Sequence, residues 1–243
     1  MTTQLTGPVM VVAQDIFSES VNPLHRVGSY VETADGRGFR YAKVGAVATV
    51  AGKVYQGTAL DATNLQVSGG SAVAAQAIGD TQLTLTGSLT LAANLLAGSY
   101  ASVDVTPGQG YIYRVAGNTA VAGAANCVVT LEDSIQIALT TASRVIFAAN
   151  TYANIVIEPG TPTAAIAGVA TRVTTAASHM WLQTRGACSV LFTGTGVAGK
   201  AVGSLSGGTS GSVAPAIAAT NIIGYHMATG ISTEYALIHL TLG

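Results

Sequence analysis

The glycine spacing near residue 194 is the one feature of the sequence that could bind a nucleotide. Gly194, Gly196 and Gly199 match the G-x-G-x-x-G pattern of dinucleotide-binding turns, and Lys200 comes close to completing a phosphate-binding loop. A dinucleotide turn also needs a helix after the glycines and an acidic residue about 20 positions later. The segment 201–233 is rich in Gly and Ser, which does not suit a helix, and it contains no Asp or Glu. A phosphate-binding loop would also need Ser or Thr after the lysine as a magnesium ligand, but residue 201 is Ala. We therefore interpret the match as chance in a chain with 29 glycines.

The titratable residues do not form a recognisable metal or acid–base site. The four histidines lack metal-ligand spacing and have no cysteine pair beside them. Glu132 and Asp133 are adjacent, but neighbouring residues of a strand point to opposite faces and cannot jointly flank one bond. We predict no metal, no cofactor and no catalytic residue, and hence no enzyme. A Ser–His–Asp site assembled from distant residues stays open, although no G-x-S-x-G turn occurs.

Basic and aromatic residues are interleaved near the N-terminus. Aromatic side chains at positions 30, 39, 41 and 55 flank three cations, an arrangement that could stack single-stranded nucleic acid. We favour a hairpin whose aromatic residues pack inward and whose cations meet an acidic partner surface. The candidate partner contacts are Arg26, Arg37, Arg40, Tyr41 and Lys43.

The overall composition narrows the class of protein. Charged residues make up only 9% of the 243 residues, against about 25% in an average soluble domain, and the net charge is −1. Nucleic-acid binding requires clustered cations, so we predict no nucleic-acid partner, and no segment is long and apolar enough to predict a membrane span. With little net charge to oppose association, the chain is predicted to work inside an assembly. Cys127 and Cys188 are predicted to be buried and reduced.

Alternating hydrophobicity predicts an all-β fold. Leucines occupy the odd positions 83, 85, 89 and 91, and the residues between them are mostly Thr, Gln and Ser. Residues 129–139 and 235–242 repeat this period of two, which is typical of a strand with one buried face. Residues 71–78 and 92–97 could form at most two helical turns each. We predict an antiparallel β-sandwich or barrel-like domain with an extended N-terminal arm and a small hairpin, because no segment suits a βαβ crossover.

Composition divides the chain into three predicted regions. Residues 1–58 are interpreted as the arm and the hairpin, and residues 59–105 as a nearly uncharged, β-rich connecting region. Residues 106–243 are interpreted as the β-sandwich, with strands about every ten residues. Whether residues 59–105 form a separate domain stays open.

Three segments resemble structural proteins of tailed-bacteriophage heads. The stretch Asp35-Gly36-Arg37-Gly38-Phe39-Arg40-Tyr41-Ala42-Lys43-Val44-Gly45-Ala46 is similar to a hairpin of that group. In the group this hairpin follows an H-x-x-G step, which is matched here by His25-Arg26-Val27-Gly28. Trp181-Leu182-Gln183-Thr184-Arg185-Gly186 resembles an internal strand of the group. Residues 224–240 resemble its closing hairpin.

The resemblance implies a capsid decoration (cement) protein or an allied minor head protein. Such a protein would bind the outer surface of the major capsid protein lattice in the virion, and it would also contact copies of itself, possibly as a trimer. A tail-fibre or adhesin-type binding module, which shares the Thr- and Gly-rich β composition, stays open as an alternative. So does an enzyme of the depolymerase type, which would need a carboxylate pair or triad in a cleft.

Overall fold

The computed structural model describes residues 5–6, 13–58, 65, 70–87, 89–123, 125–204, 209–217 and 221–243. These residues form 17 strands and no helix, and every pairing between strands is antiparallel. The predicted all-β class is therefore confirmed. Within the described part of the chain no helix could cross a membrane. The chain divides into two units, which we call the sheet unit (Met1–Thr58 with Thr151–Gly243) and the barrel unit (Ala59–Asn150).

The sheet unit contains one eleven-stranded sheet. Its strands are β1 (Leu5–Thr6), β2 (Tyr30–Thr33), β3 (Gly38–Lys43), β4 (Val54–Gln56), β11 (Val156–Ile157), β12 (Ile166–Ala170), β13 (His179–Leu191), β14 (Ala201–Ser204), β15 (Val213–Pro215), β16 (Ile222–His226) and β17 (Tyr235–Thr241). The main path runs β1-β2-β3-β13-β17-β16-β14-β15, while β12 links β13 to β4 and β4 pairs with β11. A bridge between Phe192 and Val213 joins the end of β13 to β15. The sheet therefore curls around its own apolar side chains.

The long strand β13 organises the sheet unit. Its first half pairs with β3, from His179 opposite Lys43 to Arg185 opposite Gly38. Its second half pairs with β17, from Arg185 to Leu191. Alternate residues of the second half face the largest core cluster of this unit, which consists of Val54, Val169, Cys188, Val190, Phe192, Val202, Val213, Ile223, Ala236, Ile238 and Leu240. One strand thus positions both the hairpin and the C-terminal part of the sheet.

The described part of the predicted arm lies against the chain's own sheet. Ile16 is buried in a cluster with Phe39, Tyr41 and Trp181. The indole Nε1 of Trp181 donates a hydrogen bond of 2.9 Å to the backbone carbonyl of Gln14. Residues 1–4 and 7–12 of the predicted arm lie outside the described residues. The described segment is therefore part of the packed core.

The barrel unit is closed. Its strands are β5 (Ser71–Val73), β6 (Gln82–Thr86), β7 (Tyr100–Val105), β8 (Ile112–Asn118), β9 (Cys127–Leu131) and β10 (Arg144–Ala148), in the order β10-β5-β6-β9-β8-β7, and β7 pairs with β10 to close the ring. The interior is filled by one cluster that includes Leu83, Leu85, Val129, Ile135 and Phe147. Closure gives every strand two neighbours and leaves no free edge in the ring.

The hydrophobic patterns located this core correctly. The leucines of residues 83–91 are all buried, as are Val129, Leu131, Ile135 and Leu139. In β17 the burial alternates as predicted, with Ala236, Ile238 and Leu240 inside. The predicted hairpin is present as β2 and β3 around the Asp35-Gly36 turn. Both cysteines are free and buried, as predicted.

Two details differ from the sequence-based expectations. The structural division inserts one barrel into a discontinuous sheet unit, whereas composition suggested three successive regions with a boundary after residue 105. That boundary falls within the β7–β8 hairpin, where Tyr100 pairs with Arg114. Antiparallel pairing therefore joins the end of the predicted region 59–105 to the start of the predicted region 106–243. The helical turns allowed at residues 71–78 and 92–97 are replaced by β5 and by turns, since strand pairing overrides the weak helix preference of alanine.

Candidate functional site

The structure separates the predicted contact residues. The Nη1 group of Arg40 donates to the carbonyl of Gly28 at 3.0 Å, and its guanidinium lies over the rings of Tyr30 (5.2 Å) and Tyr152 (5.7 Å). Arg40 is therefore largely engaged by its own chain. Arg26 is exposed in the loop before β2, and Lys43 is half-buried at the end of β3.

Tyr41 is a core residue. Its side chain is fully buried, and its hydroxyl donates to Oε1 of Gln14 at 2.7 Å and accepts from the backbone amide of Leu24 at 3.1 Å. Its ring packs against the rings of His179 and Trp181. Because Tyr41 presents no surface, we leave it out of the candidate contact residues. Its role is to fasten the N-terminal segment to the sheet.

The glycine motif serves packing. A Cβ atom on Gly196 would lie 2.3 Å from Cε1 of His226, whose imidazole is buried beneath this loop. The loop is closed by hydrogen bonds from the Gly196 amide to Gly230 and from the Gly199 amide to His226. The residues after it form β14, so the helix that a dinucleotide site needs is missing here. Contact with this imidazole therefore requires glycine at position 196, whereas Gly199 has open space around its Cβ position and a positive φ.

The acidic pair is engaged in local contacts. Glu132 lies 3.4 Å from the guanidinium of Arg114, and the carboxylate of Asp133 accepts from the Arg114 amide at 3.5 Å. Among the described residues no cluster of three or more His, Cys, Asp or Glu could hold a metal ion. This pair therefore offers no paired carboxylates facing a shared cleft.

Four consecutive strands of the curled sheet carry no ionised side chain. Strands β14, β15, β16 and β17 contain no Lys, Arg, Asp or Glu. The exposed residues of β16 and β17 form what we call the outer face, and they are Ile222, Tyr225, Tyr235, Leu237, His239 and Thr241. Tyr235 and Leu237 are 54% and 45% exposed, which is high for apolar residues at the centre of a sheet. Contiguous exposed apolar surface of this kind marks interaction sites.

Strand β13 has an unpaired stretch on one edge, which we call the open edge (residues 186–190). On this side β3 pairs only as far as Arg185, and the next backbone hydrogen bond runs from the Leu191 amide to Gly52 at 2.7 Å. Backbone groups alternate along a strand, so the amides of Ala187 and Ser189 point to the same side as that of Leu191. Apart from the ladder with β17, which lies on the opposite side, neither amide makes a backbone hydrogen bond to a described residue.

A pocket of about 330 Å³ lies over the open edge. Its lining residues are Phe17, Arg37, Ala51, Gly52, Thr171, Gln183, Ala187, Cys188, Ser189 and Tyr235. Arg37 is the one charged residue in this lining. Of the predicted contact residues, it alone reaches this pocket. The size corresponds to the lower end of ligand pockets.

Gln183 determines which backbone groups the open edge presents. Its side chain is buried, and its Nε2 donates to the carbonyls of Arg185 (3.0 Å) and Ala187 (2.8 Å). The Ala187 carbonyl therefore already accepts a hydrogen bond, whereas the amides of Ala187 and Ser189 have no partner among the described residues on this side of the strand. The pocket is consequently rich in hydrogen-bond donors.

The floor of the pocket contains an unreactive thiol. Burial raises the pKa of Cys188 to about 12, although the nearby charge of Arg37 acts in the opposite direction. A thiol with this pKa is protonated at neutral pH and is a poor nucleophile. The pocket is therefore better suited to binding than to covalent chemistry.

Two buried titratable groups were not singled out by the sequence patterns. Glu158 is fully buried, and desolvation raises the pKa of its carboxyl against the opposing effect of the Gly160 and Gly211 amides. His226 is 3% exposed, burial lowers its pKa, and among the described residues neither ring nitrogen has a hydrogen-bond partner. No local motif marks such residues, because their burial depends on distant strands.

Comparisons with family models, with curated proteins and with solved structures find no match to this chain.

Proposed function

We propose that this protein is a structural protein of a tailed-bacteriophage virion that decorates the head. In this proposal it binds the outer surface of the major capsid protein lattice and stabilises the assembled shell without catalysing a reaction. Neighbouring copies of the chain are the second partner.

The observation that carries the proposal is the uncharged outer face. Sheets that work in free monomers are usually protected from association by charged side chains on their edges and exposed faces. Here Leu237 and Tyr225 are exposed on strands that lack any ionised residue. Covering the apolar surface of this face with a partner removes it from water and lowers the free energy of the complex.

Shell stabilisation needs no active site. A protein that binds only the assembled lattice shifts the assembly equilibrium toward that state by mass action. Many copies on one lattice multiply a modest interface into a large total effect. The unreactive Cys188 and the packed glycine motif agree with a protein that binds but does not process a ligand.

The proposal is tested by shell binding. Purified shells of the major capsid protein from the source phage are mixed with the wild-type chain and with Leu237→Asp, and bound protein is measured after sedimentation. We expect the wild type to bind at high copy number and to raise the temperature of shell disruption, and the variant to lose both effects. Ile112→Asp, at an exposed apolar position of the barrel unit, is the matched control.

The composition of virions provides a second test. Mass spectrometry and electron microscopy of particles should place the chain in the head at many copies. Its presence on the tail, together with binding of host glycans, would instead support the tail-fibre or adhesin class and overturn the decoration proposal.

Deletion of residues 1–25 is a poor test of a partner-binding arm. It would remove Gln14 and Ile16, which are buried against Trp181. Deletion of residues 1–12 leaves these contacts intact. Unchanged shell binding by that shorter deletion would exclude residues 1–12 from the interface.

A further inference from the structure

We propose that the open edge of β13 is a docking slot for an extended segment of a partner protein that carries a carboxylate side chain beside an apolar one. This inference deepens the proposed function, which supplies the identity of the partner as a shell protein. The slot itself is defined by four features of the described residues.

The first feature is the pair of free backbone amides. Ala187 and Ser189 are exposed and both line the pocket over the open edge, so a chain that enters the pocket can reach their N–H groups. An extended peptide that pairs with a strand edge accepts such bonds through its carbonyls at the same two-residue spacing. The open edge therefore offers the main-chain part of a docking site.

The second feature explains why the chain does not fill the slot itself. The β2–β3 hairpin reverses at the Asp35-Gly36 turn, so no residue of β3 can pair with β13 beyond Arg185. The backbone of Arg37 packs closely against Gly186 (φ +82°), where a Cβ would lie 3.0 Å from the Cα of Arg37. At the other end Gly52 takes over the pairing at Leu191. The gap is therefore bounded at both ends by residues of this chain.

The third feature is the charge of Arg37. Its Nε donates to the carboxylate of Asp35 at 2.8 Å, and no described residue accepts a hydrogen bond from its two Nη groups. A guanidinium with free Nη groups binds a carboxylate through two parallel hydrogen bonds. Gln183 occupies the Ala187 carbonyl, so the Ser189 carbonyl is the remaining main-chain acceptor of the open edge. The two amides and the guanidinium outnumber it as donors, and the slot therefore favours a ligand rich in acceptors.

The fourth feature is the pair of aromatic side chains in the lining. Phe17 and Tyr235 are both 54% exposed, so each has apolar surface that a partner can cover. Thr171 adds a buried hydroxyl that has no hydrogen-bond partner among the described residues. An apolar residue next to the carboxylate would occupy the space lined by these rings.

The test uses the full-length chain labelled with ¹⁵N and two short peptides. Acetyl-Val-Glu-Val-amide carries the carboxylate, and acetyl-Val-Gln-Val-amide is the uncharged match. We expect the Glu peptide to shift the amide resonances of Ala187 and Ser189 and to bind about tenfold more tightly than the Gln peptide. Equal binding of the two peptides, or no shift at these amides, would overturn the proposal.

Charge reversal separates ligand contact from a structural role of Arg37. Arg37→Glu should reverse the preference, so that acetyl-Val-Lys-Val-amide binds more tightly than the Glu peptide. A uniform loss of binding for all peptides would contradict direct contact. Arg185→Gln, which removes an exposed arginine of β13 that does not line the pocket, should leave the preference unchanged.

Two other occupants are distinguishable outcomes that would overturn the proposal. Glucuronate or N-acetylneuraminate could shift the same amides while the peptides do not, which would assign the pocket to an acidic sugar. Protection of these amides from hydrogen exchange that disappears on dilution would assign the edge to a second copy of the chain.

Failure of the slot and failure of the proposed function give different results. If the chain binds the Glu peptide but does not bind shells, the result supports the docking slot and overturns the decoration proposal. Shell binding at wild-type strength by Arg37→Glu would retain the decoration proposal and overturn the slot as a shell contact.

Discussion

The two units of this protein use antiparallel strands in different ways. The barrel unit closes its six strands, so its strand edges pair within the ring, and its surface includes charged contacts such as Arg114 with Glu132. The sheet unit leaves the edge of β13 at Ala187 and Ser189 unpaired and presents an uncharged outer face. The contrast shows that closure satisfies the strand edges of one unit, whereas incomplete pairing leaves main-chain groups of β13 available in the other.

The contrast extends to titratable groups. All four histidines of the sequence belong to the sheet unit, and the barrel unit contains none. The fully buried carboxyl of Glu158 also belongs to the sheet unit. The stability of the sheet unit is therefore expected to depend on pH near neutrality, unlike that of the barrel unit.

The largest expected effect comes from the aromatic cores. Trp181→Ala should destabilise the sheet unit by about 3–5 kcal/mol, because it leaves a cavity and removes the hydrogen bond to Gln14. Phe147→Ala should have a similar effect on the barrel unit. Chemical denaturation gives the total loss, and hydrogen exchange identifies the affected unit. If Trp181→Ala reduced protection in the barrel unit, or Phe147→Ala in the sheet unit, the two units would not be independently stable.

Steric packing of the glycine loop should have the next largest effect. Gly196→Val would force a side chain into the imidazole of His226 and should cost about 1–3 kcal/mol, measured by urea denaturation. His226→Ala should recover part of this loss in the double variant, because it opens the space that valine needs. Gly199→Ala is the control, because a Cβ at this position meets nothing within 4 Å. This variant therefore measures only the cost of a side chain at a positive φ. An equal loss for the two glycine variants would contradict the packing explanation.

Acidification should weaken the sheet unit selectively. Burial lowers the pKa of His25, His179 and His226, so the unfolded chain binds protons more readily than the folded one. Their contribution to stability is complete above the unfolded pKa of about 6.5 and falls as pH decreases below it. Hydrogen exchange at pH 7.5 and pH 5.5 should show faster opening of the sheet unit at the lower pH, while the histidine-free barrel unit changes little. A substitution of His226 by Leu should reduce this pH dependence.

Glu158 should have the smallest effect and the opposite sign. Burial raises its folded pKa, so its contribution is favourable below the unfolded pKa of about 4.5 and is lost as pH rises through the folded value. Glu158→Gln should therefore stabilise the sheet unit at pH 8 by about 1 kcal/mol, because it removes a buried negative charge that no cation among the described residues compensates. The gain should shrink as pH falls toward 5. Destabilisation at pH 8, measured by thermal unfolding, would indicate a cation partner that compensates the carboxylate.

Much of the fold was predictable because strand patterns are local. The alternation of Leu83 and Leu85 with polar residues identified β6, and the same period in residues 235–242 identified β17. Alternating side chains point to opposite faces of a strand, so each pattern directly gives the buried face. The Asp35-Gly36 turn likewise placed the β2–β3 hairpin.

The candidate site was predictable only in part. Arg37 was identified from its place among aromatic residues, and it does line the pocket. Tyr41 belonged to the same pattern but is buried, because residues 13–25 fold over it. No sequence pattern placed Phe17, Gln183 and Tyr235 together in a pocket, since they meet only after three separate segments have assembled.

By itself, the amino-acid sequence determined the strand-forming character of the chain, its buried faces and the near absence of charge from β14–β17. These properties depend on the type of each residue and its near neighbours. The tertiary structure alone decided that the pairing of β13 with β3 ends at Arg185, opposite Gly38, and that Gly52 resumes the pairing at Leu191. It also decided that His226 lies beneath Gly196. Pairing between distant segments depends on the closure of the whole sheet, which no local pattern of residues specifies.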